Sequence, residues 1–532
     1  MCVSVAASLA GLTGCALGAA DKASSENAVT VVSDAGAAST PAPSAPSVSA
    51  PFEAGSESDP NAALLASLSV SPLALLPAFS PTIHDYVVRC PTGGSSLNIQ
   101  ASASPGASVA LLQPTATPGG STSMTSTVTM AEGDAAVLGL SQGGTTVEYW
   151  IRCLPADFPT ITASFYPDAG AAQAGYYLFG NVSFGTGESP YAIVVDANGT
   201  PVWYRRSPST AGVLNVESLS PGTISFAAVM PFTLGAGPVG QYEVVGLQPL
   251  QVAYTAPAGI PLDEHELRVL PNGDYLMLSD VIRAGFDLTG LQSFGPGSSI
   301  IDCTIQEVDP SGNSVWQWNA TDHFDIVQDS TWPLTWMVDG ENVVDPFHCN
   351  SIDVASNGDL LVSARHMDSI FYVDKVTGQV VWKMGGSQFT KDGASYVTVM
   401  GDPETTFYRQ HDARFQAGGA ISLFDDHTQE PGLARGVVYT VDADTDTATM
   451  AWQYAGAGSS AAMGSFRPTA GGGAIIGWGQ PAVGNIIFSE VDRDGNDLLD
   501  MHFAAPDVSY RAIKVALGDL DIDVLRKTAG LP

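Results

Sequence analysis

The sequence predicts an all-β protein: a six-bladed β-propeller over residues 158–510, preceded by a small β-sandwich over 61–157. Three observations lead there. Gly- and Asn-containing turns punctuate short β-branched runs, and few segments carry helical periodicity. Two kinds of strand–turn–strand element alternate along the chain at spacings of roughly 40–70 residues, the period of four-stranded propeller blades. Finally, hydrophobic residues make up 45% and charged residues only 14% of 532, with 56 Gly and 35 Pro to supply turns.

The first fifteen residues are read as a signal peptide. Their apolar run ends in Leu12-Thr13-Gly14-Cys15, a sequence that resembles the bacterial lipobox, in which the cysteine is lipidated. No Lys or Arg precedes the run, although a leader normally begins with a basic stretch, so an ordinary cleaved leader stays open as the alternative. Residues 16–60 are rich in Ala, Ser and Pro, lack an aromatic until Phe52, and read as a disordered tether. Its average reach would be on the order of 35–40 Å. The expectation is an exported protein, periplasmic or at the cell surface, with Cys15 as its lipid anchor. No later run is apolar and long enough to span a bilayer.

Residues 61–157 contain short strands joined by Pro/Gly turns, at roughly immunoglobulin size. The runs Leu68-Ser69-Val70-Ser71, Leu76-Pro77-Ala78-Phe79-Ser80-Pro81 and Tyr86-Val87-Val88 resemble the cadherin-like sandwich repeat of bacterial surface proteins. The region reads as a unit separate from the propeller. Cys90 and Cys153 end two similar strands in it, and a disulfide between them suits an exported protein. Cys303 and Cys349 pair only if their strands meet, which the sequence leaves open. No cysteine spacing matches a zinc site.

From residue 158 one element reads Val-Asp, turn, apolar residue, Trp: VVDANGTPVW (194–203), VDPSGNSVW (308–316), VDKVTGQVVW (373–382) and VDADTDTATMAW (441–452). Weaker copies are VDRDGNDLLD (491–500) and QYEVVGLQPLQVAY (241–254). The other element is a hairpin, at 163–181, 215–229, 264–280, 348–365, 411–426 and 465–480. Closing such repeats into a ring removes exposed sheet edges. Residues 511–532 are expected to be a tail or short helix.

Three of the eight histidines, His265, His348 and His411, recur at one phase of the hairpin, just before its first strand. In a hairpin the residue entering the first strand lies beside the residue leaving the second. That brings His348 close to Arg365, and His411 close to Asp425 and Asp426. The degenerate copies lack these histidines, so the fold does not require them. Three histidines can bind zinc, but an arginine at the same mouth repels a divalent metal. Arg365 with several imidazoles and Asn350 instead makes a pocket for an anion with several oxygens, such as sulfate, sulfonate or phosphate; no metal is expected. Trp332 and Trp336, in the insertion before His348, either overhang the mouth and grip an aromatic substrate or pack internally. Asp263 and Glu264 either orient His265 or cap a strand. His84 lies in the 61–157 region, away from any candidate site, and is expected at the surface; His323, His366, His427 and His502 fall out of phase and are expected to be surface or structural residues.

The net charge of −34 argues against nucleic acid and anionic membrane surfaces as partners. With 20 Lys and Arg in the whole chain, an arginine beside histidines carries weight. There is no phosphate-binding loop, dinucleotide fingerprint or nucleophile elbow.

Asp263-Glu264-His265-Glu266, Phe347-His348-Cys349-Asn350-Ser351-Ile352 with Ser363-Ala364-Arg365, Gly378–Trp382 with Gly385-Gly386, and Gln410-His411-Asp412-Ala413 resemble the arylsulfate sulfotransferase family. That resemblance implies an exported six-bladed propeller that moves a sulfuryl group from a phenolic sulfate to an acceptor phenol, with no nucleotide donor and no cofactor. It implies His411 as nucleophile, forming a sulfohistidine in a ping-pong cycle, with His265, His348 and Arg365 binding the sulfuryl and phenolic oxygens. The small-molecule partners would be phenolic sulfates and phenols. The chain departs from the better-known enterobacterial members in its N-terminal sandwich, its tether and its lack of a closely spaced cysteine pair in the propeller. The alternative from another class is a non-catalytic surface propeller that binds anionic or aromatic ligands.

Overall fold

The computed structural model describes residues 64–117, 119–182, 189–207, 211–229, 240–245, 262–338, 340–504 and 507–528. The leader expected at 1–15, the tether at 16–60 and the second half of the weak repeat at 241–254 lie outside the described residues. Residues Ala62–Pro532 form one compact unit whose regular structure is mostly β-strand.

Two sheets face each other at its N-terminal end. One runs Leu65–Ser71, Ser95–Ala103, Ser123–Met130, and the other Asp85–Arg89, Thr145–Leu154, Ala135–Gln142, Ser108–Gln113. Side chains alternate across each strand, so Leu97, Ile99 and Ala101 point inward to meet Leu138, Leu140, Tyr149 and Ile151. Cys90 and Cys153 are joined by a disulfide within this core. Contrary to the expectation of a separate unit, the sandwich does not stand apart. Arg89 donates to the carbonyls of Phe158 (2.9 Å) and Pro159 (3.0 Å). Asp85 pairs with Arg152 (2.7 Å) and with Arg526 (2.8 Å) near the C-terminus.

Antiparallel meanders make up most of the rest. Added parallel pairings join Glu341–Asp345 to Ser298–Val308, and Ser395–Met400 to both Val380–Gly385 and Thr447–Ala455, which links two of the meanders. Sheet 1 runs Pro201–Arg206, Tyr191–Asp196, Tyr176–Gly180, Ala512–Val515; sheet 2 runs Gly212–Ser220, Thr223–Val229, Gly240–Val245. Sheet 3 contains Leu267–Val269, Tyr275–Phe286, Ser298–Val308 and Ser314–Asn319. Sheet 4 runs Cys349–Val354, Leu360–Ala364, Ser369–Val373, Val380–Gly385. Sheet 5 runs His411–Gln416, Ala420–Asp425, Arg435–Asp442, Thr447–Ala455. Sheet 6 runs Ser465–Pro468, Ala474–Gly477, Ile486–Val491, Asp497–Phe503, with Ile161–Phe165 added at its far edge.

The Val-Asp-turn signature has a local cause. Asp309 Oδ1 accepts from the backbone N–H groups of Ser311 (2.9 Å) and Asn313 (2.8 Å), closing an Asx turn. Gly312 adopts φ 86° with open space around it, so the left-handed backbone rather than crowding calls for glycine there. Asp492 makes the same bonds to Asp494 and Asn496.

One expectation is corrected and another is met in part. The element at 163–181 is not a hairpin: Ile161–Phe165 pairs in sheet 6 and Tyr176–Gly180 in sheet 1. The short helix expected within 511–532 is present, but an unforeseen strand precedes it. Ala512–Val515 is that strand, paired with Tyr176–Gly180, and the short helix Ile522–Thr528 comes after it. Both differences come from reading neighbours in sequence as neighbours in a sheet, where the chain ends instead pair with distant strands.

The leading strands carry a buried ion network. Arg511 lies against Glu266 and against Asp412 (3.2 Å); Arg467 reaches Asp412 (2.7 Å) and Glu217 (3.2 Å); Arg414 pairs with Glu266 and Asp412. Three guanidinium groups thus meet three carboxylates, the balance that buried charge needs. The network ties sheets 2, 3, 5 and 6 to the segment that enters Ala512–Val515. The candidate residues sit beside it.

Candidate active site

His348 precedes its strand with φ 50°, and the register of that strand slips between Cys349 and Ser351. In sheet 5 the register slips between His411 and Arg414, next to Asp412 at φ 57°. Bulges of this kind re-aim side chains at sheet ends. The hairpin argument places Arg365 beside His348, and the backbone N–H of Arg365 donates to the carbonyl of His348 at 3.0 Å. A disulfide between Cys303 and Cys349 ties sheet 3 to sheet 4 directly behind His348.

Each of the three histidines has a carboxylate on Nδ1. His265 Nδ1 lies 2.8 Å from Asp263, His348 Nδ1 2.7 Å from Asp345 Oδ2, and His411 Nδ1 2.6 Å from Asp426 Oδ2. An ionised carboxylate only accepts, so opposite Asp263 and Asp345, and opposite Asp426 in its ionised form, Nδ1 carries hydrogen and Nε2 is the atom available for chemistry. The rings of His265 and His348 meet edge to face with centroids 4.9 Å apart. Tyr510 packs its ring against both His265 (5.4 Å) and His411 (6.4 Å), and its hydroxyl donates to the Asn350 carbonyl at 3.0 Å. Asn350 itself donates from Nδ2 to the Gln410 carbonyl (2.7 Å), which leaves its buried Oδ1 without a partner.

Arg365 is buried and held on several sides. Nη1 donates to His366 Nε2 (3.2 Å), while Nη2 donates to Thr428 Oγ1 (3.3 Å) and the Ala461 carbonyl (2.9 Å). Its guanidinium lies 4.6 Å from the Trp332 ring centroid, and Arg409 lies 4.9 Å from the same ring. Arg365 Nε is buried with no partner in the protein. A donor left unmatched in a dry site costs free energy unless something binds there.

The environment separates the three imidazoles. Burial, with the positive charge of Arg365 next, holds the His411 pKa well below the ordinary imidazole value. Burial also lowers His348, to about 4, against the pull of Asp345. Burial opposes charge on His265 too, but Asp263 and Glu264 outweigh it and raise that ring. Arg365 is lowered to about 10 by burial and remains a cation at neutral pH. Burial pushes the Asp426 carboxyl up, against the attraction of Arg365. At neutral pH this leaves two neutral rings, His411 and His348, one ring biased toward charge, His265, and a fixed guanidinium.

Among the described residues, Asp345, His348 and His366 form a group whose ligand atoms lie within 4.8 Å of one another. These residues do not fit a metal. His348 and His366 stack with centroids 4.6 Å apart and planes 20° apart, so their in-plane lone pairs run side by side and do not converge. Their nitrogens facing Asp345 are engaged in hydrogen bonds, and Arg365 abuts the remaining nitrogen of His366.

The Trp residues divide. Trp332 forms the face beneath Arg365; Trp336 donates from Nε1 to Asp345 Oδ2 (3.2 Å), the carboxylate behind His348. Asp425 binds Arg435 Nε (2.9 Å) and Asp412 joins the ion network, so neither orients His411. His323 stacks on Trp318 and pairs with Asp392. Of the two readings open for His366, surface or structural, burial excludes the first: the ring is fully buried and stacked on His348. Sequence reasoning missed Asp345 and Tyr510. Asp345 lies three residues before His348 and Asp263 two before His265, and an aspartate just ahead of each histidine was the available signal. Nothing in the sequence marked Tyr510.

The model of the arylsulfotransferase (ASST) family matches residues 257–504. No curated protein matches the chain. Among solved structures, a protein of unknown function from Bacteroides caccae is 12% identical, with 64% of this chain and 99% of that chain covered at a TM-score of 0.40. A putative 6-phosphogluconolactonase from Bacteroides fragilis is 12% identical over 64% and 98%, at a TM-score of 0.33. A quinonprotein alcohol dehydrogenase-like protein from Bacteroides thetaiotaomicron is 10% identical over 83% and 99%, at a TM-score of 0.32. Likenesses this distant assign no function.

Proposed function

Residues 257–504 belong to the arylsulfotransferase (ASST) family, and from that premise we propose that this protein transfers a sulfuryl group from a phenolic sulfate ester to an acceptor phenol, without a nucleotide donor and through a sulfohistidine on His411. The observation that carries the reading is the His411–Asp426 pair beside Arg365. His411 Nδ1 is committed to Asp426 at 2.6 Å, burial keeps the ring neutral, and a buried Arg365 Nε has no partner.

A sulfate monoester resists nucleophiles because its oxygens carry negative charge. Arg365, with Nε–H unpaired, is suited to donate to those oxygens and draw off that charge. His411 Nε2 attacks sulfur as the sulfur–oxygen bond to the aryl group breaks, and the electron pair leaves on the phenolic oxygen. His265, the ring biased toward charge, gives its Nε2 proton to that oxygen. In the second half, the oxygen of the acceptor phenol attacks sulfur and the sulfur–nitrogen bond breaks. His348 is neutral with Nε2 as its free atom, so it takes the phenolic proton; proton exchange with solvent then recharges His265 and discharges His348, which restores the resting enzyme. Environments that push like groups apart in pKa identify the acid and the base.

The same proposal covers the architecture and setting. A six-bladed propeller is supported by six successive meanders, by leading strands that share one ion network, and by Ala512–Val515 pairing back onto sheet 1, which closes the ring. Export to the periplasm or cell surface is supported by the lipobox-like leader and by the Cys90–Cys153 and Cys303–Cys349 disulfides.

The test is release of 4-nitrophenol from 4-nitrophenyl sulfate, measured with and without an added acceptor phenol. Peptide mass spectrometry after incubation with donor alone should then find a sulfuryl group on the peptide containing His411. Release that ignores the acceptor, or a sulfuryl group absent from that peptide, would rule the mechanism out.

A further inference from the structure

We propose that His366 is a positioning residue for sulfuryl transfer: it accepts a hydrogen bond from Arg365 Nη1 and so fixes the plane in which that guanidinium meets the sulfuryl oxygens. The inference rests on the proposed role of Arg365 in binding those oxygens.

Both nitrogens of His366 have partners that dictate its tautomer. Nδ1 lies 2.8 Å from the backbone carbonyl of Asp345, which can only accept, so Nδ1 carries hydrogen. Nε2 lies 3.2 Å from Arg365 Nη1, which can only donate, so Nε2 carries the lone pair. These contacts make Nδ1 the donor and Nε2 the acceptor. A second ring hydrogen would set two donors and two positive charges against each other.

The ring is locked from its faces and edge as well. It stacks on His348 with centroids 4.6 Å apart and meets Trp332 edge to face at 5.4 Å. Its own carbonyl accepts from the backbone N–H groups of Thr331 (2.9 Å) and Trp332 (3.1 Å). His366 comes directly after Arg365 in the one-turn helix Arg365–Met367. The acceptor and the guanidinium it holds thus move as one rigid piece.

The geometry gives Nη1 a task separate from packing. Thr428 and Ala461 hold Nη2, and Trp332 supports the flat face, yet these contacts alone leave the fork free to tilt about Nη2. The bond to His366 stops that tilt and leaves Nε–H as the buried, unpaired donor. Transfer depends on donors aimed where charge develops, and a small misplacement is costly.

The experiment compares His366→Phe with His366→Gln. Phenylalanine keeps a ring against His348 and Trp332 but offers no acceptor; glutamine restores an acceptor and gives up the stacking. The expected result is a fall in kcat of about tenfold or more for H366F, with melting temperature near wild type. H366Q should regain most of kcat despite its poorer packing. Calorimetric binding of inorganic sulfate should weaken in H366F and recover in H366Q. Wild-type kcat in H366F overturns the proposal, as does loss in both variants that tracks melting temperature. If the wild-type protein transfers no sulfuryl group, the enzymatic reading fails and sulfate binding decides alone. Weakening in H366F with recovery in H366Q then supports His366 as the anchor of Arg365. Equal binding in all three proteins, or none in wild type, overturns it.

Discussion

His411 Nδ1 lies 2.6 Å from Asp426 Oδ2, fifteen residues away along the chain and at the far end of the same hairpin. The bond fixes hydrogen on Nδ1 and turns the Nε2 lone pair to the site. Replacing Asp426 with Asn frees the imidazole to adopt the other tautomer while filling the same space. By analogy with triads whose carboxylate is lost, kcat should fall by about 10²–10⁴-fold with little change in KM. His411→Ala should abolish transfer. A D426N variant within twofold of wild-type kcat would show that the tautomer needs no help.

Arg365 offers a planar fork, with Nη1 and Nη2 held by His366, Thr428 and Ala461. Lysine keeps the charge and loses that geometry and the stacking on Trp332. Arg365→Lys should therefore behave nearly as badly as Arg365→Met, each losing about 10²-fold or more in kcat/KM for 4-nitrophenyl sulfate. Near wild-type activity in R365K would mean that charge alone suffices.

The pH profile is set by the direction of each shift. Protonation of His411 removes the nucleophile, and protonation of His348 removes the base, so both act on the acid limb. Burial lowers His411 well below the ordinary imidazole value and His348 to about 4. Steady-state kcat should stay flat as pH falls from 7 through about 6.5, where an unperturbed histidine would already cost half the activity. The fall belongs near pH 4. An acid limb centred close to 6.5 would contradict the burial argument.

Much of this arrangement was legible because hairpins are local. The pairings of His348 with Arg365 and of His411 with Asp426 depend only on strand alternation and turn length, both written in consecutive residues. Asp425 illustrates the limit: alternation puts Asp425 and Asp426 on opposite faces, but only the register decides which one meets His411. The place of His366 stayed open for a related reason. It lies past the end of its strand and enters a one-turn helix, so repeat phase says nothing about where its ring goes. Tyr510 arrives from the last strand-forming segment, nearly a hundred residues beyond His411, and that segment is placed by the long-range pairing of Ala512–Val515 with Tyr176–Gly180.

The Cys303–Cys349 disulfide links sheet 3 to sheet 4 at the residue after His348. A Cys303→Ala/Cys349→Ala variant should lose about 2–4 kcal/mol of stability by denaturant unfolding. Because the bridge anchors the backbone that holds His348 at φ 50°, kcat should fall at temperatures where the variant is still folded. Unchanged kcat with lowered stability would confine the bridge to a structural role.

Arg511 is the residue on which the C-terminal segment and the ion network depend together. It has no exposed surface to speak of and faces Glu266, Asp412 and Glu217, while Arg414 and Arg467 serve the same carboxylates from sheets 5 and 6. Arg511→Met keeps the bulk and removes the charge, leaving Glu266 and Asp412 with too few cations in a dry interior. Breaking such a pair from one side costs about 3–5 kcal/mol. Removing the matching carboxylate as well, in Arg511→Met/Glu266→Gln, should recover part of that loss, since the double variant leaves no uncompensated charge. Urea unfolding of the wild type, both single variants and the double variant measures the coupling directly. Strictly additive losses would mean that Arg511 acts by filling space, and that the strand Ala512–Val515 is held in sheet 1 by its backbone pairing to Tyr176–Gly180 alone.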